Sequence, residues 1–199
     1  ISGINSIDSQ SKQNSKTSID PFIIATRIKG RGPAPVHLWN PKFCGDMDMV
    51  IARDGTWYHE GKPIRRPAMV QLFSSILLRE DEEYFLVTPI EKVRIQVEDC
   101  PFLATQMEIY QTEGGQSIVF TTNTEEMVTV DSKHPIEVGS IGAENEPHPI
   151  LHVRNGLNAL INRAVFYRLV EAAEEIKLDG KGILGVWSEG SFFKLGQVE

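Results

Sequence analysis

Apolar and polar residues alternate along much of this chain, which is the pattern of β-strands that bury one face. The alternation is clearest where Val93, Ile95 and Val97 are separated by polar residues. Glycine, asparagine and acidic residues replace this pattern over 139–149, which predicts a loop there. Segments with strand-like composition predict strands at 84–88, 93–97, 103–111, 116–122, 127–130 and 150–153.

Two other segments place apolar residues three and four positions apart, which is the spacing of a helix with one buried face. The first begins near Pro67, has its last apolar position at Leu77 and is expected to end at the acidic residues 81–83, and the second covers 157–176. A third, short helix is predicted at Asp20 and Pro21, because aspartate is a good N-cap and proline suits the first helical turn.

One pattern occurs twice in the chain. Residues 54–61 and 189–196 both read as an acid, a glycine, a small hydroxyl residue, two aromatic residues, two mixed positions and a glycine. An acid–glycine pair between two apolar stretches is typical of a β-hairpin turn. The repetition predicts an α+β protein with a duplicated core of two small domains. These are mostly antiparallel, have one principal helix each and meet at a shared seam.

The composition divides the chain into three parts. Residues 1–19 are rich in serine, asparagine, glutamine and lysine, so they are predicted to form a disordered polar tail. An N-terminal α+β domain is expected over 20–98 and a C-terminal α+β domain over 99–199.

Charge and cysteine content narrow the class of protein. The chain of 199 residues has a net charge of -7, which argues against a nonspecific binder of nucleic-acid polymers. Its two cysteines, Cys44 and Cys100, form no metal-binding or redox motif and are typical of the reducing cytoplasm. No stretch is apolar enough to predict a membrane span or a signal peptide, although the sequence does not begin with Met and a signal segment could have been trimmed.

Motifs of catalysis are missing from the sequence. It contains no nucleophile elbow and no phosphate-binding P-loop. His148 and His152 are four residues apart, but Pro149 between them disfavours the helix that would bring them together as metal ligands. The sequence therefore favours a protein that is not an enzyme and uses no cofactor or metal.

Basic residues stand before both long predicted helices. Arg66 and Arg154 lie where a helix N-terminus already carries partial positive charge, so each needs a negative partner nearby. That partner is either a phosphate or carboxylate ligand held by backbone N–H groups and arginine, or an internal acid. Glu91, Glu98 and Asp99 are the candidate internal partners of these arginines.

Three groups of residues carry a resemblance to a known family. The first is Trp39-x-Pro41-x-x-Cys44-Gly45 with Asp54-Gly55-x-Trp57 and Gly61-x-Pro63-Ile64-x-Arg66; the second is Leu86-Val87-Thr88-Pro89-x-Glu91-Lys92 with Val97-Glu98-Asp99-x-Pro101-Phe102; the third is Arg154-x-Gly156-Leu157-x-Ala159-Leu160-x-x-Arg163-x-x-Phe166-Tyr167. On these residues the chain resembles a bacterial family catalogued as domain of unknown function 1285. The resemblance implies a duplicated α+β core whose second domain is superficially like a pleckstrin-homology barrel. It also implies a ligand site at the domain interface for a nucleotide-like molecule and a role in signal transduction.

The first functional hypothesis is a non-catalytic, cytoplasmic module that binds an anionic, nucleotide-like ligand at the interface between the domains. Arginines contact the anion, further cations add positive field, and tryptophans frame the pocket or pack in the core. The candidate ligand-binding residues are Arg66, Arg154, Lys92, Arg163, Trp57, Trp187, Glu91 and Asp99.

Two alternatives come from other classes of protein. A hydrolase of a phosphorylated or nucleotide substrate would use Glu91, Glu98 or Asp99 for acid–base chemistry. A protein-interaction module would show an exposed apolar patch or an open sheet edge in place of a deep pocket.

Overall fold

The computed structural model describes residues 32–178 and 180–198. The predicted tail at 1–19 and the predicted helix near Asp20 lie outside these residues. The described chain contains a short 3-10 helix (Val36–Leu38), two α-helices and fifteen strands in three sheets. None of its helices is both long enough and apolar enough to cross a membrane.

The first half of the chain forms a six-stranded sheet in the order β3-β2-β1-β6-β5-β4. The central pair, β1 and β6, is parallel, and the other neighbours are antiparallel. Helix α1 (Pro67–Ser75) follows β3, as the sequence predicts, although it ends before Leu77. The strands are β1 (Phe43–Ile51), β2 (Trp57–His59), β3 (Lys62–Pro63), β4 (Leu77–Glu80), β5 (Glu83–Val87) and β6 (Lys92–Val97).

The second half repeats this arrangement in a second six-stranded sheet. Its order is β10-β11-β12-β7-β8-β9, and its central pair, β12 and β7, is again parallel. If β7 is counted as the first strand of this sheet and the sheet is read from its β9 edge, the strand order is the same as in the first sheet. The strands are β7 (Phe102–Thr112), β8 (Gly115–Thr122), β9 (Met127–Thr129), β10 (Ile136–Ile141), β11 (Glu146–Arg154) and β12 (Leu157–Ile161).

The duplicated α+β core is therefore confirmed, but its repeating unit is a whole sheet. Both copies of the acid–glycine pattern are hairpin turns, as predicted. The copy at 54–61 joins β1 to β2, whereas the copy at 189–196 lies in a third sheet formed by β13 (Glu174–Leu178), β14 (Lys181–Ser188) and β15 (Ser191–Val198). The two hairpins do not occupy equivalent positions in the repeat.

The third sheet packs against the second and gives the C-terminal half the form of a curled half-barrel. Ser188, which is fully buried, accepts a hydrogen bond from Ile118 N at 3.0 Å and donates one to Val130 O at 2.7 Å. Gln116 donates through Nε2 to Trp187 O at 2.8 Å. These side-chain bonds join β14 to β8 and to the residue after β9.

The predicted helix over 157–176 is wrong at both ends. Leu157, Ala159 and Ile161 are buried alternately and form β12, which pairs with β11 and β7. Helix α2 covers only Arg163–Glu171, and Asn162 caps it by accepting a hydrogen bond from Ala164 N at 3.0 Å.

Most of the segment predicted as a loop over 139–149 belongs to two paired strands. Strands β10 and β11 pair directly from Ile136 with Leu151 to Ile141 with Glu146. Gly142 and Asn145 have positive φ angles in the connecting turn. The glycine and asparagine that predict a loop therefore form the tip of a hairpin.

One apolar core lies between the elements of both halves. Trp57 and Phe73 come from the first half, and Phe102 and Phe120 come from the second, and all four are almost completely buried. The side-chain amide of Asn123 donates to Gly55 O at 3.1 Å, so the first hairpin touches the second half.

Gly55 and Gly190 allow the hairpin contact to be tested. Both have positive φ, but a Cβ on Gly55 would lie 2.7 Å from Asn123 Nδ2, whereas one on Gly190 would meet no described atom within 4 Å. We expect Gly190→Ala to cost about 1 kcal/mol from backbone strain. Gly55→Ala should cost at least about 1 kcal/mol more, because it also displaces a hydrogen-bonded amide. Urea unfolding measures both, and equal losses would contradict the contact.

Candidate functional site

A cavity of ≈ 590 Å³ lies at the seam between the two halves. Helix α1 forms one wall, and the turn between β8 and β9 forms the other together with the end of β11. The lining residues are Gly32, Pro33, Ala68, Gln71, Leu72, Ser74 and Ser75 from the first half, and Thr124, Glu125, Glu126 and Arg154 from the second. We call this space the seam cavity.

Arg154 crosses the seam from the end of β11. Its Nη2 donates to Ser74 O at 2.8 Å, and its Nε lies 3.0 Å from Glu126 Oε1. The guanidinium carbon is also 5.3 Å from the centroid of the Phe102 ring. Only 12% of the Arg154 side chain is exposed, so the structure holds it in one orientation.

The structure corrects the helix-start argument for Arg154. Residues Asn155 and Gly156 form a turn between two strands, so no helix begins after Arg154. The guanidinium instead reaches a carbonyl in the last turn of α1, which is the negative end of that helix. Arg154 thus adds a charged donor to Ser74 O, which also accepts from the N–H of Ile76 at the C-cap.

The acid that pairs with Arg154 is Glu126, and not Glu91, Glu98 or Asp99 as predicted. A tight turn positions it: Thr122 Oγ1 accepts from Glu126 N at 3.1 Å and shares a hydrogen bond with Thr124 Oγ1 at 3.0 Å. Sequence patterns do predict a turn between the strands that contain 116–122 and 127–130. No local signal pairs that turn with Arg154, which is distant in sequence.

The preceding residue of that turn, Glu125, also makes a contact across the seam. Gln71 of α1 donates through Nε2 to Glu125 Oε2 at 2.8 Å. Among the described residues, Nη1 of Arg154 has no hydrogen-bond partner, and neither does Oε1 of Glu125. Both residues line the seam cavity, and each has one polar atom that no described residue uses.

A second polar cluster connects the two halves at Asp99. Its Oδ1 lies 2.9 Å from His148 Nε2 and accepts a hydrogen bond from Cys100 Sγ at 3.4 Å. Its Oδ2 lies 3.0 Å from His148 Nε2 and 3.1 Å from Arg53 Nε. The Asp99 side chain is only 11% exposed, and Cys100 is 8% exposed. We call Asp99, Cys100 and His148 the junction cluster.

Burial changes the acid–base behaviour of the junction cluster. Removal from water, followed by the negative charge of Asp99, raises the pKa of the Cys100 thiol to about 12. Burial also raises the pKa of the nearby Tyr84 hydroxyl. Cys100 is thus a protonated thiol at neutral pH and a poor nucleophile without further activation.

The other predicted cations lie away from the seam cavity. Lys92 pairs with Glu80 and places its ammonium 4.3 Å from the centre of the Phe85 ring. Arg163 donates through Nε to Tyr167 OH at 2.9 Å on the exposed side of α2. Arg66 is exposed at the N-cap of α1, and its side chain makes no capping bond.

The aromatic and acidic candidates are also dispersed. Trp57 is 1% exposed and stacks on Phe73, so it packs in the core, and its indole Nε1 has no hydrogen-bond partner among the described residues. Trp187 is 41% exposed and packs edge-on against Phe192 in the third sheet. Glu91 is half-buried in the turn before β6. Of the predicted ligand-binding residues, Arg154 alone lines the seam cavity.

Two family models together match most of the chain. A model described as "Domain of unknown function (DUF1285), N-terminal domain" matches residues 34–100, and one described as "Protein of unknown function (DUF1285), C-terminal domain" matches residues 101–195. No curated protein matches the chain.

Two crystal structures are similar to the chain. A DUF1285 family protein from Silicibacter pomeroyi DSS-3 is 49% identical, with a TM-score of 0.84 over 92% of this chain and 97% of that one. A DUF1285 family protein from Shewanella baltica OS155 is 30% identical, with a TM-score of 0.51 over 63% of this chain and 91% of that one.

Arg154→Ala tests the seam contact. We expect this change to lower the free energy of unfolding by about 2–3 kcal/mol, because it removes charged hydrogen bonds from a partly buried site and leaves Glu126 without its partner. Arg163→Ala is the matched control: it removes an exposed arginine that bonds to Tyr167 OH and is attracted through solvent to Glu146, and it should change stability by less than about 0.5 kcal/mol. Urea unfolding compares the two.

A double-mutant cycle assigns the loss to the ion pair. In a Glu126→Ala background, Arg154→Ala should cost at least about 0.5 kcal/mol less than it does in the wild-type chain. Equal effects of Arg154→Ala and Arg163→Ala would show that the seam pair does not stabilise the fold.

Proposed function

The chain belongs to the DUF1285 family, and we propose that its seam cavity binds a small, anionic, nucleotide-like ligand without converting it chemically. The observation that carries this proposal is that Nη1 of Arg154, a residue lining a cavity shared by both halves, bonds to none of the described residues. A volume of ≈ 590 Å³ lies in the usual range for small-molecule sites, which often occur between domains.

The charges of the lining narrow the class of ligand. Arg154 is the single basic residue among the described residues of the lining, and it stands beside the carboxylates of Glu125 and Glu126. A ligand with several phosphates would meet more repulsion than attraction there. A nucleoside monophosphate suits the lining better, because its phosphate can accept from Arg154 Nη1 while a ribose hydroxyl donates to Glu125 Oε1.

The positions of the acids favour binding over catalysis. Glu91, Glu98 and Asp99, the acids of the hydrolase hypothesis, are not among the residues that line the seam cavity. Asp99 is bonded to Arg53, His148 and Cys100, and Glu98 accepts from Arg53 N at 3.0 Å. Of the described acids that line the cavity, Glu126 is paired with Arg154, and Glu125 accepts from Gln71 through one of its two oxygens.

A ligand in the seam cavity would contact both halves of the protein at once. It would touch α1 on one side and the Glu125–Glu126 turn on the other, so its binding would stabilise one relative arrangement of the halves. This is the physical basis on which we include a role in bacterial signal transduction in the proposal. The free thiols of Cys44 and Cys100 suit the cytoplasm, where we place this function.

Ala68→Trp tests the cavity without removing a polar group. Ala68 is exposed at the second position of α1 and lines the cavity, so an indole there would occupy the space of the ligand. Ala164→Trp is the matched control, since Ala164 is exposed at the second position of α2 and is not a lining residue. Calorimetric titration would use adenosine and guanosine monophosphates, the triphosphates and inorganic phosphate.

We expect a monophosphate to bind wild type and Ala164→Trp equally, and to bind Ala68→Trp at least about tenfold more weakly, a difference of about 1.4 kcal/mol. The triphosphates should bind more weakly than the monophosphates. The proposal fails if no nucleotide binds the wild-type chain, or if Ala68→Trp binds as well as the control.

A further inference from the structure

We propose that the junction cluster, Asp99, Cys100 and His148, is a zinc site that joins the two halves of the protein. The three residues offer a carboxylate oxygen, a sulfur and an imidazole nitrogen, and these atoms all lie within 4.8 Å of one another. This site is separate from the seam cavity, because none of its residues is among those that line that cavity.

The spacing of the donor atoms is close to that of a tetrahedral zinc site. Zinc–ligand bonds of about 2.0–2.3 Å place neighbouring ligand atoms roughly 3.3–3.6 Å apart. Sγ of Cys100 already lies 3.4 Å from Asp99 Oδ1. The distance of 2.9 Å between Oδ1 and His148 Nε2 would have to open by a few tenths of an ångström, which a side-chain rotation supplies.

Both oxygens of Asp99 lie within 3.0 Å of His148 Nε2, but they differ in their second neighbour. Oδ1 faces both Cys100 Sγ and His148 Nε2, so it is the oxygen that would bind the metal. Oδ2 accepts from Arg53 Nε at 3.1 Å. A carboxylate ligand that is held through its second oxygen by another side chain is a common arrangement in metal sites. The Arg53 side chain is 51% exposed, so much of its charge stays in water.

The donor set selects zinc over the hard cations. Magnesium and calcium bind oxygen ligands, whereas a thiolate and an imidazole prefer zinc and related transition metals. On binding, the Cys100 thiol would release its proton to solvent, and His148 would bind through Nε2 with its proton on Nδ1. Three protein ligands leave a fourth position for water.

The position of the cluster gives the metal a structural consequence. Asp99 and Cys100 lie between β6 and β7, where the first sheet ends and the second begins, and His148 lies on β11. A metal held by these residues would link the segment between β6 and β7 to strand β11 of the second sheet. Without a metal, the same residues still form an ion pair and hydrogen bonds, so the experiment must separate these two states.

The test uses the full untagged chain after dialysis against a chelator. Zinc uptake is measured by elemental analysis, and cobalt(II) serves as the spectroscopic probe because thiolate ligation produces a strong near-ultraviolet charge-transfer band. We expect one equivalent of metal per chain, a thiolate–cobalt band, and a rise of a few degrees in Tm with excess zinc.

Variants identify the ligands. Cys100→Ser should abolish the cobalt band and weaken zinc binding at least about tenfold. Cys44→Ser is the matched control, since it removes the other, exposed cysteine of the chain and should leave the band unchanged. His148→Gln is the second variant, to be used if Cys100→Ser does not fold. Its amide can still donate to Asp99 but cannot replace the imidazole as a ligand, so it should also weaken zinc binding.

Three outcomes would overturn the proposal: no metal retained by the wild-type chain, a cobalt band that survives Cys100→Ser, or a band lost in Cys44→Ser. The first outcome would leave the junction cluster as an ion-pair contact between the halves. None of these outcomes bears on nucleotide binding at the seam cavity, so the two proposals can fail separately.

Discussion

One guanidinium, that of Arg154, holds the two halves of this protein at the cavity they share. It satisfies a carbonyl at the C-terminal end of α1 and neutralises Glu126 on the opposite wall. A helix end without such a partner leaves unpaired carbonyls, and a carboxylate without one resists burial. Both walls of the seam cavity therefore depend on the same side chain, and any ligand there must use the edge of the guanidinium that remains unused.

The duplicated sheets explain why the seam is asymmetric. Both halves have the same strand order around a parallel central pair, but their helices come at different points of the repeat. In the first half, α1 lies between the third and fourth strands and forms a wall of the seam cavity. In the second half, α2 follows the sixth strand, and the third sheet continues from it. Equivalent strands thus carry different surfaces, and only one of the two helices lines the seam cavity.

Local patterns in the sequence predict most of the strands, both hairpins and α1, because each depends on near neighbours. The exception at 157–176 has a clear cause. Leu157, Leu160 and Val165 fit a helical period, yet β12 forms between two strands, β11 and β7, and buries Leu157, Ala159 and Ile161. The hairpin with β11 has a local signal, because Asn155 and Gly156 both have positive φ in its turn. The pairing with β7, which lies more than fifty residues earlier, has none in any window along the chain.

The site follows the same rule. The position of a basic residue before a predicted helix identifies Arg154 as a site residue, but no helix begins there. The partner of Arg154, Glu126, lies in the turn between β8 and β9. No local pattern predicts the junction cluster, because the partners of His148 lie about fifty residues earlier in the sequence. Both polar sites join groups that are far apart in sequence. Each can form only after the sheets have assembled, so site chemistry in this fold is a product of tertiary pairing.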